Sequence, residues 1–296
     1  MTVCLLEILE SWLLTLRSEG KARNTILSYR SSVEAFIRSC EARGVEPAVT
    51  ALNVKAFLVD LMDSGAETGT TRLRLSHLKI FASWLAEEEG CADLTKIRAI
   101  RPPKLAQKPV PALTDAEVRA MLKQASGPDF KSLRDKAILS LMAETGMRAN
   151  EVVGLDTTDV SLNECALIVR KAKGDRSRRV KFSPATAAAI NRYMRARAAA
   201  GWGDGALWIG RDGPLTYDGL KYALGARAVR AGVKGFHPHR LRHTAAVRWM
   251  KNGGSETGLM AQAGWKSRVM IGRYVNTAAE DLAATEFDRL NLGFGC

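Results

Sequence analysis

Apolar residues recur every three or four positions through the first third of the chain, the spacing of helices with one buried face. Leu5, Leu6, Ile8, Leu9, Trp12, Leu13 and Leu16 mark a first helix. A second starts near Asn24 or Thr25 and carries Tyr29, Val33, Phe36 and Ile37 on one face. A third covers roughly Asn53 to Met62, with Gly65 ending the turn after it. The fourth, TTRLRLSHLKIFASWLAEEEG, turns Leu73, Leu78, Phe81 and Leu85 toward a core, and Gly90 is suited to cap its end. Pro102, Pro103, Pro109 and Pro111 then forbid a continuing helix, in a basic stretch short of large apolar residues. That is a domain boundary.

Thr114 and Glu117 form a capping-box pair that opens the second domain. Two helices are expected near Asp115–Ala125 and Ser132–Glu144, a break at Gly146, and a short helix near Ala149–Leu155. The texture then becomes alternating and β-branched in DVSLNECALIVRKAKGDRSRRVKF, with Gly174-Asp175 between two strands. This predicts a small antiparallel sheet with a hairpin tip at Lys171 to Ser177. Helices resume at Ala185–Ala199 and Tyr217–Ala231 and continue through the His239–Met250 region to the end. The last of them has Leu282, Phe287 and Leu290 in phase, followed by Leu292 and Phe294. The fold class is therefore mainly α with two domains: an all-helical unit at 1–100, a linker at 101–113, an α+β domain at 114–274 and a terminal helix and tail at 275–296.

Charge changes the picture more than composition does. Lys+Arg number 44 against 31 Asp+Glu, a surplus of +13 that favours a polyanion, of which nucleic acid is the commonest. Lys21, Arg23 and Arg30 at the second helix, and Arg72, Arg74 and Lys79 on the fourth, give the first domain two basic faces suited to phosphates. No apolar run is long enough for a membrane span, and Glu7 and Glu10 within the first apolar stretch argue against a signal peptide. Cys4, Cys40, Cys91, Cys165 and Cys296 are odd in number, scattered and without CxxC spacing, which points to reduced thiols in a cytoplasm. His237, His239 and His243 lack the nearby carboxylates or cysteines that a metal hydrolase would add, so no metal and no cofactor is expected.

Four segments in order resemble the boxes of the tyrosine recombinases. They are ETGMRANEVVGL at 144–155, the basic hairpin KAKGDRSRRV at 171–180, HPHRLRHTAAVRWM at 237–250, and AGWKSRVMIGRY at 263–274, where Trp265 and Tyr274 stand nine positions apart as in that family. Asn150, Ala172 and Ala263 depart from the usual Ser, Gly and Leu, and none of them removes a reacting group. The resemblance implies a SAM-like core-binding domain and a catalytic domain closing as a C-shaped clamp on duplex DNA. It further implies a homotetramer on paired core sites and, for an integrase, a directionality factor. The core-binding helices begin almost at residue 1, so an integrase without an added arm-binding domain is the first expectation. A chromosome or plasmid dimer resolvase of Xer type and a type IB topoisomerase are the alternatives, all in a bacterial cytoplasm.

The same resemblance assigns roles. Arg148 and Arg242 would neutralise the non-bridging oxygens of a scissile phosphate, which planar guanidiniums do with paired hydrogen bonds. Tyr274 would be the nucleophile, and since a phenol titrates near 10, it must shed its proton during attack. His239 would handle that proton. Lys173 would protonate the leaving 5′ oxygen, although Lys171 lies two residues away on the same strand face. Trp265 would donate its indole N–H to a phosphate oxygen. Glu151 and His243 would orient their neighbours. The terminal helix would dock on a neighbouring protomer, with packing on its own domain as the alternative.

Overall fold

The computed structural model describes residues 5–88, 93–104, 111–170, 177–265, 267, 271–272 and 279–291. The chain divides into two compact units, Met1–Lys108 and Pro109–Cys296.

The first unit is helical: α1 (Leu5–Ser18), α2 (Arg23–Ala42), α3 (Ala51–Asp63), α4 (Thr68–Glu88) and α5 (Leu94–Ala99). Its core centres on Trp12, which stacks on Tyr29 at 5.2 Å and meets Phe81 at 4.9 Å, with Phe36 against Phe57 beside it. α3 starts at Ala51 rather than Asn53 because Thr50 caps it, its hydroxyl accepting the Asn53 N–H at 3.2 Å.

Two expected core positions are corrected. Leu6 and Leu73 are about half exposed, while Leu75, Leu78, Phe81 and Leu85 are buried. Leu73 and Leu75 differ by two residues, roughly 200° around a helix, so both cannot face one core. Burial of Leu75 brings Thr71 and His77 inside with it. His77 Nδ1 lies 2.8 Å from Ser32 Oγ, which gives that buried ring a polar partner. Gly90 lies outside the described residues.

The second unit holds α6 (Asp115–Gln124), α7 (Phe130–Thr145), α8 (Ala149–Val153), β1 (Val160–Ser161), β2 (Ala166–Val169), β3 (Arg178–Lys181), α9 (Pro184–Ala199), α10 (Tyr217–Arg230), α11 (Pro238–Lys251), α12 (Glu256–Ala263) and α13 (Ala279–Leu290). The capping box of Thr114 and Glu117 opens α6. α7 runs through the middle of the core, with Ala137, Ile138, Leu139, Leu141, Met142 and Ala143 all buried. It ends where Gly146 turns left-handed at φ 65° and returns its N–H to Met142 O at 3.1 Å. The sheet is antiparallel in the order β1-β2-β3, pairing Val160 with Leu167 and Leu167 with Val180. Leu167, Val169 and Val180 are buried while Ile168 is exposed, the alternation of a half-buried sheet.

Gly253 at φ 75° stops α11, and Ser255 starts α12 by accepting the Gly258 N–H at 3.1 Å. In α13, Phe287 and Leu290 are more than half exposed. The side chain of Leu282, and Leu292 and Phe294, lie outside what is described. No helix among the described residues is long and apolar enough to cross a membrane.

Candidate active site

The site gathers at the C-terminal end of α12. A helix leaves its last carbonyls without intrahelical donors, and they carry the negative end of its dipole. Here arginines supply the donors. Arg242, buried to 2% on α11, donates from Nη1 to Ala263 O at 2.7 Å and to Gly146 O at 2.6 Å. Arg148, at the N-cap of α8, donates from both terminal nitrogens to Gly264 O at 3.2 Å. Two guanidiniums from distant parts of the sequence thus sit on adjacent carbonyls of one turn. Gly264 makes this possible by adopting φ 67°, where a side chain would be strained.

Glu151 lies behind Arg148. Its carboxylate accepts the Arg148 backbone N–H at 2.9 Å and Arg148 Nη1 at 3.0 Å. Burial works to raise its pKa, but hydrogen bonds from Arg178 and from the Arg148 backbone, with the charges of both arginines, outweigh burial and hold it below the usual carboxylate range. The Arg148 side chain keeps 46% of its surface exposed, which leaves it open to an incoming anion.

Trp265 is buried and lies under the Arg242 guanidinium, 5.0 Å from ring centroid to Cζ, a cation–π contact. His239 stands three residues before Arg242 on α11, one helical turn away, with an exposed edge. The protein packed around its ring lowers its pKa, and the charges of Arg242, His237 and Arg148 add to this. The lowered pKa favours the neutral ring, the form that can accept a proton. His243, buried one turn further on, is pushed down to about 4 by burial and by its histidine neighbours, so it stays uncharged. Its ring meets His239 edge-on at 6.5 Å, in line with a supporting rather than a reacting place. Burial and Arg240 also lower His237.

Lys173, its neighbour Lys171, and Tyr274 lie outside the described residues. Among the other tyrosines, Tyr193 is fully buried and Tyr29 packs on Trp12, whereas Tyr217 and Tyr222 are exposed on α10. Among the described residues no group of three or more His, Cys, Asp or Glu could hold a metal ion.

Sequence reasoning missed Arg178. It forks onto Glu151, with Nη1 to Oε1 at 3.0 Å and Nη2 to Oε2 at 2.7 Å. A signal existed: Arg178 stands two residues before the buried Val180 on β3, so strand alternation turns it inward.

The six basic residues of the first unit expected to meet phosphates divide. Arg30 is engaged by Glu10 at 2.6 Å and by Glu34 at 3.5 Å. Arg72 donates to Pro103 O at 2.6 Å, and Lys79 to Arg98 O at 2.8 Å and Ile100 O at 2.7 Å, so both fasten the chain leaving α5. Lys21 makes one exposed ion pair with Glu19 at 3.4 Å. Arg23 and Arg74 have no hydrogen-bond or ion-pair partner among the described residues.

A family model described as the phage integrase family matches residues 111–281, and one described as the N-terminal SAM-like domain of phage integrases matches residues 9–89. Tyrosine recombinase XerD of Mycobacterium tuberculosis is 32% identical over 252 residues, covering 79% of this chain and 81% of that protein. Tyrosine recombinase XerC of Herpetosiphon aurantiacus is 30% identical over 255 residues, covering 83% and 82%. Among solved structures, XerH recombinase in a post-cleavage complex with a palindromic difH substrate has a TM-score of 0.74 at 18% identity, covering 94% of this chain and 83% of that one. A lambda integrase dimer bound to a COC' core site has a TM-score of 0.70 at 21% identity, covering 92% and 77%. These two likenesses establish a shared fold.

Proposed function

This chain belongs to the phage integrase family, and on that premise we propose that it is a site-specific recombinase acting through a 3′-phosphotyrosyl link on Tyr274. The observation that carries the reading is the meeting of Arg148 and Arg242 on adjacent carbonyls, with His239 one turn away on α11. Attack on a phosphodiester builds negative charge on the non-bridging oxygens, and pre-placed guanidiniums stabilise it without reorganising. The Tyr274 oxygen attacks phosphorus as His239 accepts the phenolic proton. The bond from phosphorus to the 5′ oxygen breaks, and Lys173 supplies that oxygen with a proton. Trp265 packs the pocket and donates to a phosphate oxygen. The phosphotyrosyl ester keeps the energy of the broken bond, so a second 5′ hydroxyl rejoins the strand without ATP.

Of the six basic residues named for the first unit, Lys21, Arg23 and Arg74 are the ones best able to give their donors to backbone phosphates. Binding should then weaken steeply with salt. The active form is a homotetramer on two paired duplex sites in a bacterial cytoplasm, with α13 docked on a neighbouring protomer. For biological role, identities of 32% and 30% to XerD and XerC favour resolution of joined circular replicons. Integration or excision of a phage or mobile element, with a directionality factor, is the other reading and rests on the family alone.

A plasmid carrying two copies of a site selected by binding from random duplexes tests recombinase against topoisomerase. In EDTA and without ATP, a deletion or inversion product is expected. Relaxation of supercoils on a one-site plasmid, with no recombinant from the two-site plasmid, would favour the topoisomerase reading instead.

A further inference from the structure

Three consecutive carbonyls at the end of α12 receive three different arginines. Gln262 O accepts from Arg178 Nε at 3.3 Å, Ala263 O from Arg242 Nη1 at 2.7 Å, and Gly264 O from Arg148 at 3.2 Å. Arg242 and Arg148 have places in the proposed chemistry. Arg178 has none, yet it is firmly held: its fork meets both oxygens of Glu151, at 3.0 and 2.7 Å. It is also wedged. A Cβ added at Gly264 would come within 2.7 Å of the Arg178 guanidinium carbon.

Its position in the chain adds a second link. Arg178 is the first residue of β3, directly after the hairpin segment that contains Lys173. β3 is an edge strand, and Gln262 closes it: the Lys181 N–H donates to Gln262 Oε1 at 3.2 Å, while Gln262 Nε2 donates to Lys181 O at 2.5 Å. The base of the hairpin is thereby joined to the same turn of α12 that carries Arg148 and Arg242.

We infer that Arg178 is a positioning residue for strand transfer. It orients the Glu151 carboxylate, so that Glu151 holds the Arg148 guanidinium in line for the phosphate, and it ties the hairpin base to α12. This rests on the phosphotyrosyl reading. Arg178 touches no reacting atom in that scheme and acts through Glu151 and the α12 carbonyls. A lysine cannot replace it, because one ammonium cannot span two carboxylate oxygens and a carbonyl in a fixed plane.

The test is single-turnover adduct formation by Arg178→Lys on a nicked duplex, with Kd for the same duplex and Tm measured alongside. The expected result is a rate lower by on the order of 10- to 100-fold, the range of coupling within one hydrogen-bonded network, at a Kd within about threefold of wild type. Glu151→Gln should show a similar loss, and the double variant should be little worse than either alone. Arg178→Gln keeps one donor toward Glu151 and serves if the ammonium is not accommodated; the same loss is expected. A wild-type rate in both Arg178 variants, or losses that multiply in the double variant, would overturn the inference. A wild-type protein that binds the duplex but forms no adduct would overturn the phosphotyrosyl reading itself, and this inference with it.

Discussion

Arg148→Ala should lower the rate of covalent DNA cleavage by at least about 10²- to 10³-fold, the usual cost of losing one pre-placed donor to a developing anion. Duplex affinity should change little, because that affinity is spread over many phosphate contacts. The geometry makes Arg148 the cleaner of the two arginines to test. Its side chain is 46% exposed, and its removal frees only Gly264 O and part of Glu151. Arg242 is only 2% exposed, lies over the Trp265 ring and satisfies both Gly146 O and Ala263 O. Arg242→Ala should therefore abolish cleavage and also destabilise the second unit, leaving two buried carbonyls without that donor. Rates of adduct formation read beside Kd and Tm separate the two cases. Equal loss of binding and cleavage in Arg148→Ala would count against its place at the scissile phosphate.

Asp135→Ala should cost the second unit about 3–5 kcal/mol, the penalty for breaking a buried ion pair by removing one partner. Asp135 lies on α7, 3% exposed, and one of its oxygens takes Arg134 Nε and Nη2 at 3.0 and 2.7 Å. The other takes Arg227 Nε from α10 at 3.0 Å. Both arginines are also nearly buried, and each reaches on to backbone: Arg134 to Ile209 O at 2.9 Å, Arg227 to Gln124 O at 2.6 Å. One carboxylate therefore holds two guanidiniums that tie α7, α10, the end of α6 and the segment before α10. Without it, two cations remain in the interior facing each other. Arg134→Ala should be milder, since one Asp–Arg pair survives. Urea denaturation followed by a probe in the second unit would measure this, and a loss under about 1 kcal/mol would mean that the network contributes little.

Legibility in the sequence depended on how local the cause was. The helices of the first unit follow from apolar periodicity, and the cap at Thr114 lies within three residues of the group it satisfies. TTRLRLSHLKIF offers two phases, and the one observed buries Leu75 and sets His77 against Ser32, far away in sequence. Arg148, Glu151, His239, Arg242 and Trp265 stood out through their motifs. Periodicity alone would have passed over them as ordinary polar or core positions. That Arg148 and Arg242 meet on α12 could not be read, because the expected helices beyond His239 carry no boundary in the sequence that sets off α12 and its carbonyl end. Arg178 depends on that same end, 84 residues on, at Gln262. The Arg134–Asp135–Arg227 network was silent for a similar reason: charged residues read as surface until a partner brings them inside.

As nucleophile of a site organised by Arg148 and Arg242, Tyr274 should link covalently to DNA. A nicked duplex bearing the bound site, incubated with wild type and with Tyr274→Phe in EDTA and without ATP, tests it on a denaturing gel. A denaturant-stable protein–DNA adduct is expected with wild type and none with Tyr274→Phe. No adduct from wild type on a duplex it demonstrably binds, or an equal adduct from Tyr274→Phe, would contradict it.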